Sequence, residues 1–216
     1  DAVVAHLAAL VGATDLPVNA DFESGFGSDA AGVGVSVAMA LKTGVAGLSI
    51  EDSTGDPAEP LFALDQAVAR MRAARRAIDA DGGEALLIGR CEGFLVGRGD
   101  LDLVVARLRA YADAGADCLY APGLTTREQI AAVVAAVHPK PVNVLVGAAG
   151  GLTLPEVAAL GVRRVSVGGA LARAAWGGFM RAARALAEAQ SFDGLVGAAS
   201  GRELNAFFAE HGVRDQ

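Results

Sequence analysis

The sequence predicts an α/β fold, a (β/α)8 TIM barrel lacking its first two βα units. Three observations carry this: six short apolar runs, Ala-rich helical stretches between them, and a helix-like segment ahead of the first run. Strand alternating with helix at this rhythm means parallel crossovers and a sheet buried on both faces. One βα unit takes about 30 residues, so a closed eight-unit barrel needs ~250, and the chain has 216. The helix-like Ala2 to Leu10 has no strand to feed it, which places the shortfall at the N-terminal side. An open doubly wound sheet of five or six strands is the competing architecture.

The runs, in order, are Leu16 to Asp21, Gly47 to Asp52, Ala85 to Arg90, Asp117 to Pro122, Pro141 to Leu145 and Arg164 to Gly168. Leu101 to Ala114 and Ile130 to Val137 have helical apolar spacing, and Gly115 and Gly161 stand where a helix C-cap takes a left-handed residue. Thr125 with Glu128, and Thr153 with Glu156, have the spacing of a capping box. Residues 1–190 read as one incomplete barrel domain and 191–216 as a helical tail.

Composition narrows the function. Lys and Arg number 18 against 25 Asp and Glu, a formal charge of −7, and 53% of residues are hydrophobic, which excludes a disordered chain. Only 5% are aromatic and 28 are glycine, the mixture of helices packed closely on a sheet. Scattered basic residues in an acidic chain give no footprint for a phosphate backbone, so no nucleic-acid partner is expected. No apolar run reaches the roughly 18 residues that span a bilayer, and no secretory leader is visible, so no membrane partner is expected. Two cysteines, Cys91 and Cys118, match neither a metal knuckle nor a disulfide framework, and a cytoplasmic location is expected.

In parallel α/β folds the chemistry sits at the C-terminal strand ends. There the sequence places Asn19, Asp21 and Glu23 at alternating positions, then Glu51-Asp52, then Arg90 and Glu92. If the first strand continues, Asn19, Asp21 and Glu23 share one face. Carboxylates converging on one rim repel unless a cation answers them, and all-oxygen ligation selects a hard ion such as Mg²⁺. Arg90 opposite them can take a substrate carboxylate bidentately. The loops Gly147 to Gly151 and Gly168-Gly169 can offer backbone amides to a phosphate or carboxylate. Gly25 to Ala30 has the outline of a dinucleotide fingerprint, yet Asp21 and Glu23 just before it would oppose a pyrophosphate. None of His6, His138 and His211 sits at a strand end. Cys91 and Cys118 read as core, and Trp176 as packing or a subunit contact.

The segments Pro17 to Gly27, Gly47 to Asp52, Gly89-Arg90-Cys91-Glu92, Tyr120-Ala121-Pro122-Gly123 and Pro141 to Val144 together resemble the isocitrate lyase/phosphoenolpyruvate mutase superfamily. The likeness runs from about Leu16 to Ala175 in the right order, and is greatest to the phosphonomutase-like and carboxyphosphonate mutase-like branch. It implies a barrel binding Mg²⁺ and a small 2-oxo or 2-hydroxy acid, with a C–C or P–C bond made or broken through an enolate-like pyruvate. It further implies Asp21 as a direct metal ligand and Glu51 as one acting through water. Arg90 is implied as the grip on the substrate carboxylate, and Asn143 as a polar group on the substrate side.

With these go Glu92 and Tyr120 as proton-transfer candidates, and Asn19 and Gly168 as substrate contacts. The expected activity is that of a Mg²⁺-dependent lyase, with a phosphonopyruvate-type P–C enzyme or a silent oxo-acid-binding barrel as alternatives. Asn19 stands where the family usually has an aspartate. Ser53 to Pro57 stands where lyases carry a Lys/Cys loop and mutases a lysine, and Gly123 where lyases commonly carry a glutamate. The amphipathic stretch at Leu204, Phe207 and Phe208 resembles family helices that pack on neighbouring subunits, implying a homo-oligomer, dimer or tetramer.

Overall fold

A computed structural model describes residues 2–211. The chain divides into two compact units, one ending at Ser166 and one beginning at Val167.

The first unit opens with helix α1 (Ala2–Gly12) and alternates from there: β1 (Asn19–Asp21), α2 (Ala30–Leu41), β2 (Gly47–Glu51), α3 (Leu64–Asp81), β3 (Leu86–Arg90), α4 (Leu101–Asp113), β4 (Cys118–Tyr120), α5 (Arg127–Val137), β5 (Val142–Leu145), α6 (Leu154–Ala159) and β6 (Arg164–Ser166). Every expected run holds a strand, though shorter than the run. The six strands form one parallel sheet in sequential order, β1 to β6. A doubly wound sheet reverses its strand order at a switch point. No reversal occurs here, so the open alternative and its dinucleotide crevice fall away. Right-handed crossovers between strands laid down in one direction put the connecting helices on one side of the sheet.

That side is the core. Ala20, Leu48, Ile50, Leu87, Leu119, Val142 and Val144 are buried in one cluster with α2 Val33 and Val37, α3 Met71 and Ile78, α4 Leu108 and Tyr111, and α5 Ile130 and Val133. The alternate strand residues face the other way. There Ile88, Cys118 and Tyr120, with Leu145, form a separate small cluster. Both cysteines are buried, as their apolar settings predicted.

Local chemistry sets the helix ends. Asp29 and Asp100 cap α2 and α4 by accepting from the N–H groups of Gly32 (2.8 Å) and Leu103 (2.6 Å). Gly115 and Gly161 take the left-handed conformation after α4 and α6, at φ 104° and 93°. Glu156 accepts from the N–H of Thr153 (2.8 Å) as anticipated. The box on α5 is displaced by one residue: Thr126 caps, and Gln129, not Glu128, reaches back. An amide side chain supplies the same acceptor as a carboxylate.

The second unit contains α7 (Ala170–Glu188), a 3-10 turn (Asp193–Leu195) and α8 (Gly201–His211). No residue of α7 is buried, and Leu204, Phe207 and Phe208 of α8 are exposed. Trp176 meets Phe179 edge to face within α7. Among the described residues no helix is long and apolar enough to cross a membrane.

Candidate functional site

Strand register brings the polar residues together. Glu51 pairs with Arg90, Arg90 with Tyr120, Tyr120 with Asn143, and Asp21 lies beside Ser49. In a parallel ladder, paired residues share a face, so Asp21, Glu51, Arg90, Tyr120 and Asn143 stand along one side of the sheet, toward its C-terminal edge.

Arg90 is the hub. Its Nη1 lies 3.0 Å from Asp21 Oδ2, and its Nε lies 3.3 Å from Glu51 Oε2 and 2.5 Å from Glu92 Oε1. Its guanidinium carbon sits 5.3 Å from the centre of the Tyr120 ring. Three carboxylates against one guanidinium leave the cage net negative. Burial pushes the Glu51 carboxyl up to about 7; Arg90 pulls it down, while Glu92, Asp21 and Glu23 push it further up. Burial opposes the charge on Arg90, but the Glu92 hydrogen bond and the fields of Glu92, Glu51 and Asp21 outweigh it and raise its pKa. Burial raises the Tyr120 phenol, against the pull of Arg90.

Asn143 is fully buried and donates from Nδ2 to Ser166 Oγ (3.0 Å), while its Oδ1 has no hydrogen-bond partner. Asn19 is exposed at the start of β1, and its Nδ2 lies 3.4 Å from the carbonyl of Ala20. Gly168 belongs to the second unit, with φ 51°. The condition on which Glu23 would join Asn19 and Asp21, a strand that continues, is not met. The strand ends at Asp21, Phe22 turns into the core against Phe26, and Glu23 takes φ 45°, so it does not extend the Asn19–Asp21 face.

Among the described residues no three His, Cys, Asp or Glu side chains are grouped to hold a metal ion. Asp21 and Glu51 offer oxygen donors alone. That pair fits a hard cation of the Mg²⁺ kind, which takes one or two protein carboxylates and keeps much of its water; it does not fit a soft ion.

Sequence reasoning missed a second cluster. Asp52, 1% exposed, accepts from the Glu92 N–H (2.7 Å), the Tyr111 hydroxyl (2.5 Å) and Arg107 (3.1 Å). Its signal was present: alternation puts Asp52 on the apolar face, and Arg107 and Tyr111 are one helical turn apart. A separate apolar cavity of about 550 Å³ lies at the ends of β4 and β5, lined by Leu95, Leu124, Ile130, Leu145 and Val157 among others. None of the Arg90 cage residues lines it.

The phosphoenolpyruvate phosphomutase family model matches residues 1–187. The chain belongs to this family. A crystal structure of a Burkholderia cenocepacia J2315 protein described as a lyase/mutase is 50% identical, with a TM-score of 0.91, over 97% of this chain and 75% of that one. An oxaloacetate decarboxylase of Bradyrhizobium sp. (strain ORS 278) is 36% identical over 129 residues, 57% of this chain and 43% of its own. A 2-methylisocitrate lyase of Escherichia coli K12 is 32% identical over 131 residues, again 43% of its length. The chain therefore spans less than half the length of these curated relatives.

Proposed function

We propose that this chain is part of a (β/α)8 barrel enzyme, a Mg²⁺-dependent lyase acting on a C–C bond of a small 2-oxo or 2-hydroxy acid. The observation that carries the reading is Arg90 held among Asp21, Glu51 and Glu92 at the strand ends. The strand order and the names of the relatives support it.

Asp21 and Glu51 would hold the ion, whose chemistry is to polarise the carbonyl of the bound acid. Arg90 would turn its Nη edge from Asp21 to the substrate carboxylate, a charge-assisted pair with two parallel N–H donors. Glu92 would keep its hold on Arg90 Nε and orient the fork. Tyr120, whose ring underlies the guanidinium, would carry its phenolic proton toward the reacting carbon. Asn143 Oδ1, buried without a donor, would accept from a substrate hydroxyl; an unpaired acceptor there costs about 1–3 kcal/mol that such a ligand would recover. Residues 1–190 would form the barrel portion, and the exposed apolar residues of α7 and α8 suit a homo-oligomer.

Isothermal titration of the complete gene product with oxaloacetate, 2-oxoglutarate and phosphonopyruvate, each with and without Mg²⁺, tests the reading. Mg²⁺-dependent binding of an oxo acid supports it, and absence of such binding for all three overturns it. P–C bond chemistry is the second reading, favoured by the matched family model, and turnover of phosphonopyruvate decides for it. Binding without turnover decides for a silent barrel, which the lack of Lys and Cys between Ser53 and Pro57 favours.

A further inference from the structure

The most heavily buried charge in the first unit lies outside the Arg90 cage. Asp52 directly follows Glu51, yet its side chain points into the layer between sheet and helices. Oδ1 accepts from the backbone N–H of Glu92 (2.7 Å). Oδ2 accepts from the Tyr111 hydroxyl (2.5 Å) and from Arg107 Nη1 (3.1 Å). The second arm of Arg107 donates to the carbonyl of Phe62 (3.0 Å). The Asp52 carbonyl accepts from the Phe62 N–H (2.9 Å), closing the base of a hairpin whose arms meet at Ser53 and Leu61. Tyr111 is fully buried, and burial together with the Asp52 charge raises its pKa, so it stays a donor.

One carboxylate thus joins three parts of the rim: the end of β2 that carries Glu51, the turn after β3 that carries Glu92, and the hairpin between β2 and α3. Burying an ion pair rarely raises stability over an apolar replacement of the same shape, because desolvation offsets the attraction. What Asp52 supplies instead is directed hydrogen bonds to three fixed partners. Geometry matters here because Glu92 has one Nε–H to meet at 2.5 Å, and a shift of the turn by one ångström would break that contact.

We propose that Asp52, held by Arg107 and Tyr111, is a positioning residue that sets the Glu92 turn and the Ser53–Leu61 hairpin in place around Arg90. It touches no reacting atom and acts through the backbone of Glu92 and Phe62. The importance of that placement for ligand binding rests on the functional reading above.

The test uses the complete chain as wild type, Tyr111→Phe and Arg107→Lys. Tyr111→Phe removes one hydroxyl and keeps the ring; Arg107→Lys keeps the charge but reaches one acceptor where the fork reaches two. Amide hydrogen exchange is followed over 53–62 and 92–96, with β5 and α5 as reference, and oxalate binding is titrated in the presence of Mg²⁺. Loss of one hydrogen bond to a charged group predicts about tenfold faster exchange in the two segments alone, and about tenfold weaker oxalate binding. Exchange that is unchanged, or faster everywhere alike, overturns the positioning role and leaves Asp52 a structural residue. Failure of the wild type to bind any of the three oxo acids named above overturns the functional reading instead, and the exchange pattern still decides the positioning role. Should Tyr111→Phe fail to fold, Arg107→Lys carries the same readouts.

Discussion

Replacing Arg90 by Gln removes the cation paired with three carboxylates and leaves a shorter, neutral amide in its place. Arg90, Glu51 and Glu92 have side chains 15%, 16% and 8% exposed, so the surviving carboxylates are poorly solvated; Asp21, at 67%, adds little. Breaking a buried pair by deleting one partner costs about 3–5 kcal/mol.

The loss must depend on pH with a definite sign. Burial and its acidic neighbours already raise Glu51 from 4.5 to about 7 in the folded chain, with Arg90 holding it down; without Arg90 it rises further. A carboxyl raised on folding stabilises the fold in its protonated form. That contribution is complete below pH 4.5 and is lost as the pH climbs through 7 and beyond. Urea unfolding should therefore find Arg90→Gln most destabilised at alkaline pH, with the gap to wild type narrowing as the pH falls.

Mg²⁺ supplies a second arm. With the guanidinium gone, Asp21 and Glu51 are free to hold the ion, so saturating Mg²⁺ should restabilise the variant by about 2.7 kcal/mol at a hundredfold excess over Kd. The wild type should gain less, because Arg90 competes for the same oxygens. An Arg90→Gln protein as stable as wild type at pH 8 would refute the cage as a coupled charge cluster. A variant whose stability ignores Mg²⁺ would refute Asp21 and Glu51 as its ligands.

Three further outcomes follow from packing and burial. Burial pushes the Cys118 thiol up to about 11 and Cys91 higher still, so iodoacetamide at pH 8 should leave both unmodified in the native protein and label both in urea; rapid native labelling would contradict the packing. A Cβ on Gly27 would lie 2.2 Å from the Val33 nitrogen and 2.5 Å from the Gly32 carbonyl carbon, both backbone, so Gly27→Ala should lower stability by about 3 kcal/mol in chemical denaturation, and a neutral result would mean the turn before α2 is wrong. Asp29→Ala removes the acceptor for the Gly32 N–H and should cost about 1 kcal/mol, with Asp29→Ser recovering most of it in thermal melts.

Much of this was legible in the residues. An apolar run ending in a polar residue identified each strand, because a parallel sheet buried on both faces needs near-continuous Val, Leu and Ile and leaves polarity to the rim. The row Glu51, Arg90, Tyr120 and Asn143 could be placed at strand ends, but its assembly required register, which pairs residues far apart in the chain. Whether Glu23 shares the Asn19–Asp21 face hung on the strand continuing, and it ends at Asp21, with Glu23 at φ 45°. The shifted cap on α5 shows the same limit, since Thr125 and Thr126 present nearly the same spacing and only backbone geometry chooses between them.

The sequence by itself determined that helices alternate with strands, where each strand ends, and that Asp21, Glu51, Arg90 and Glu92 belong near a rim. These follow from local periodicity and chain chemistry. Only the tertiary structure decided that the strands run in unbroken sequential order, that one guanidinium answers three carboxylates at once, and that Asp52 turns inward to Tyr111 and Arg107. Those outcomes depend on which distant residues come together in poorly solvated surroundings, and desolvation there decides whether a charge is repelled, paired or protonated.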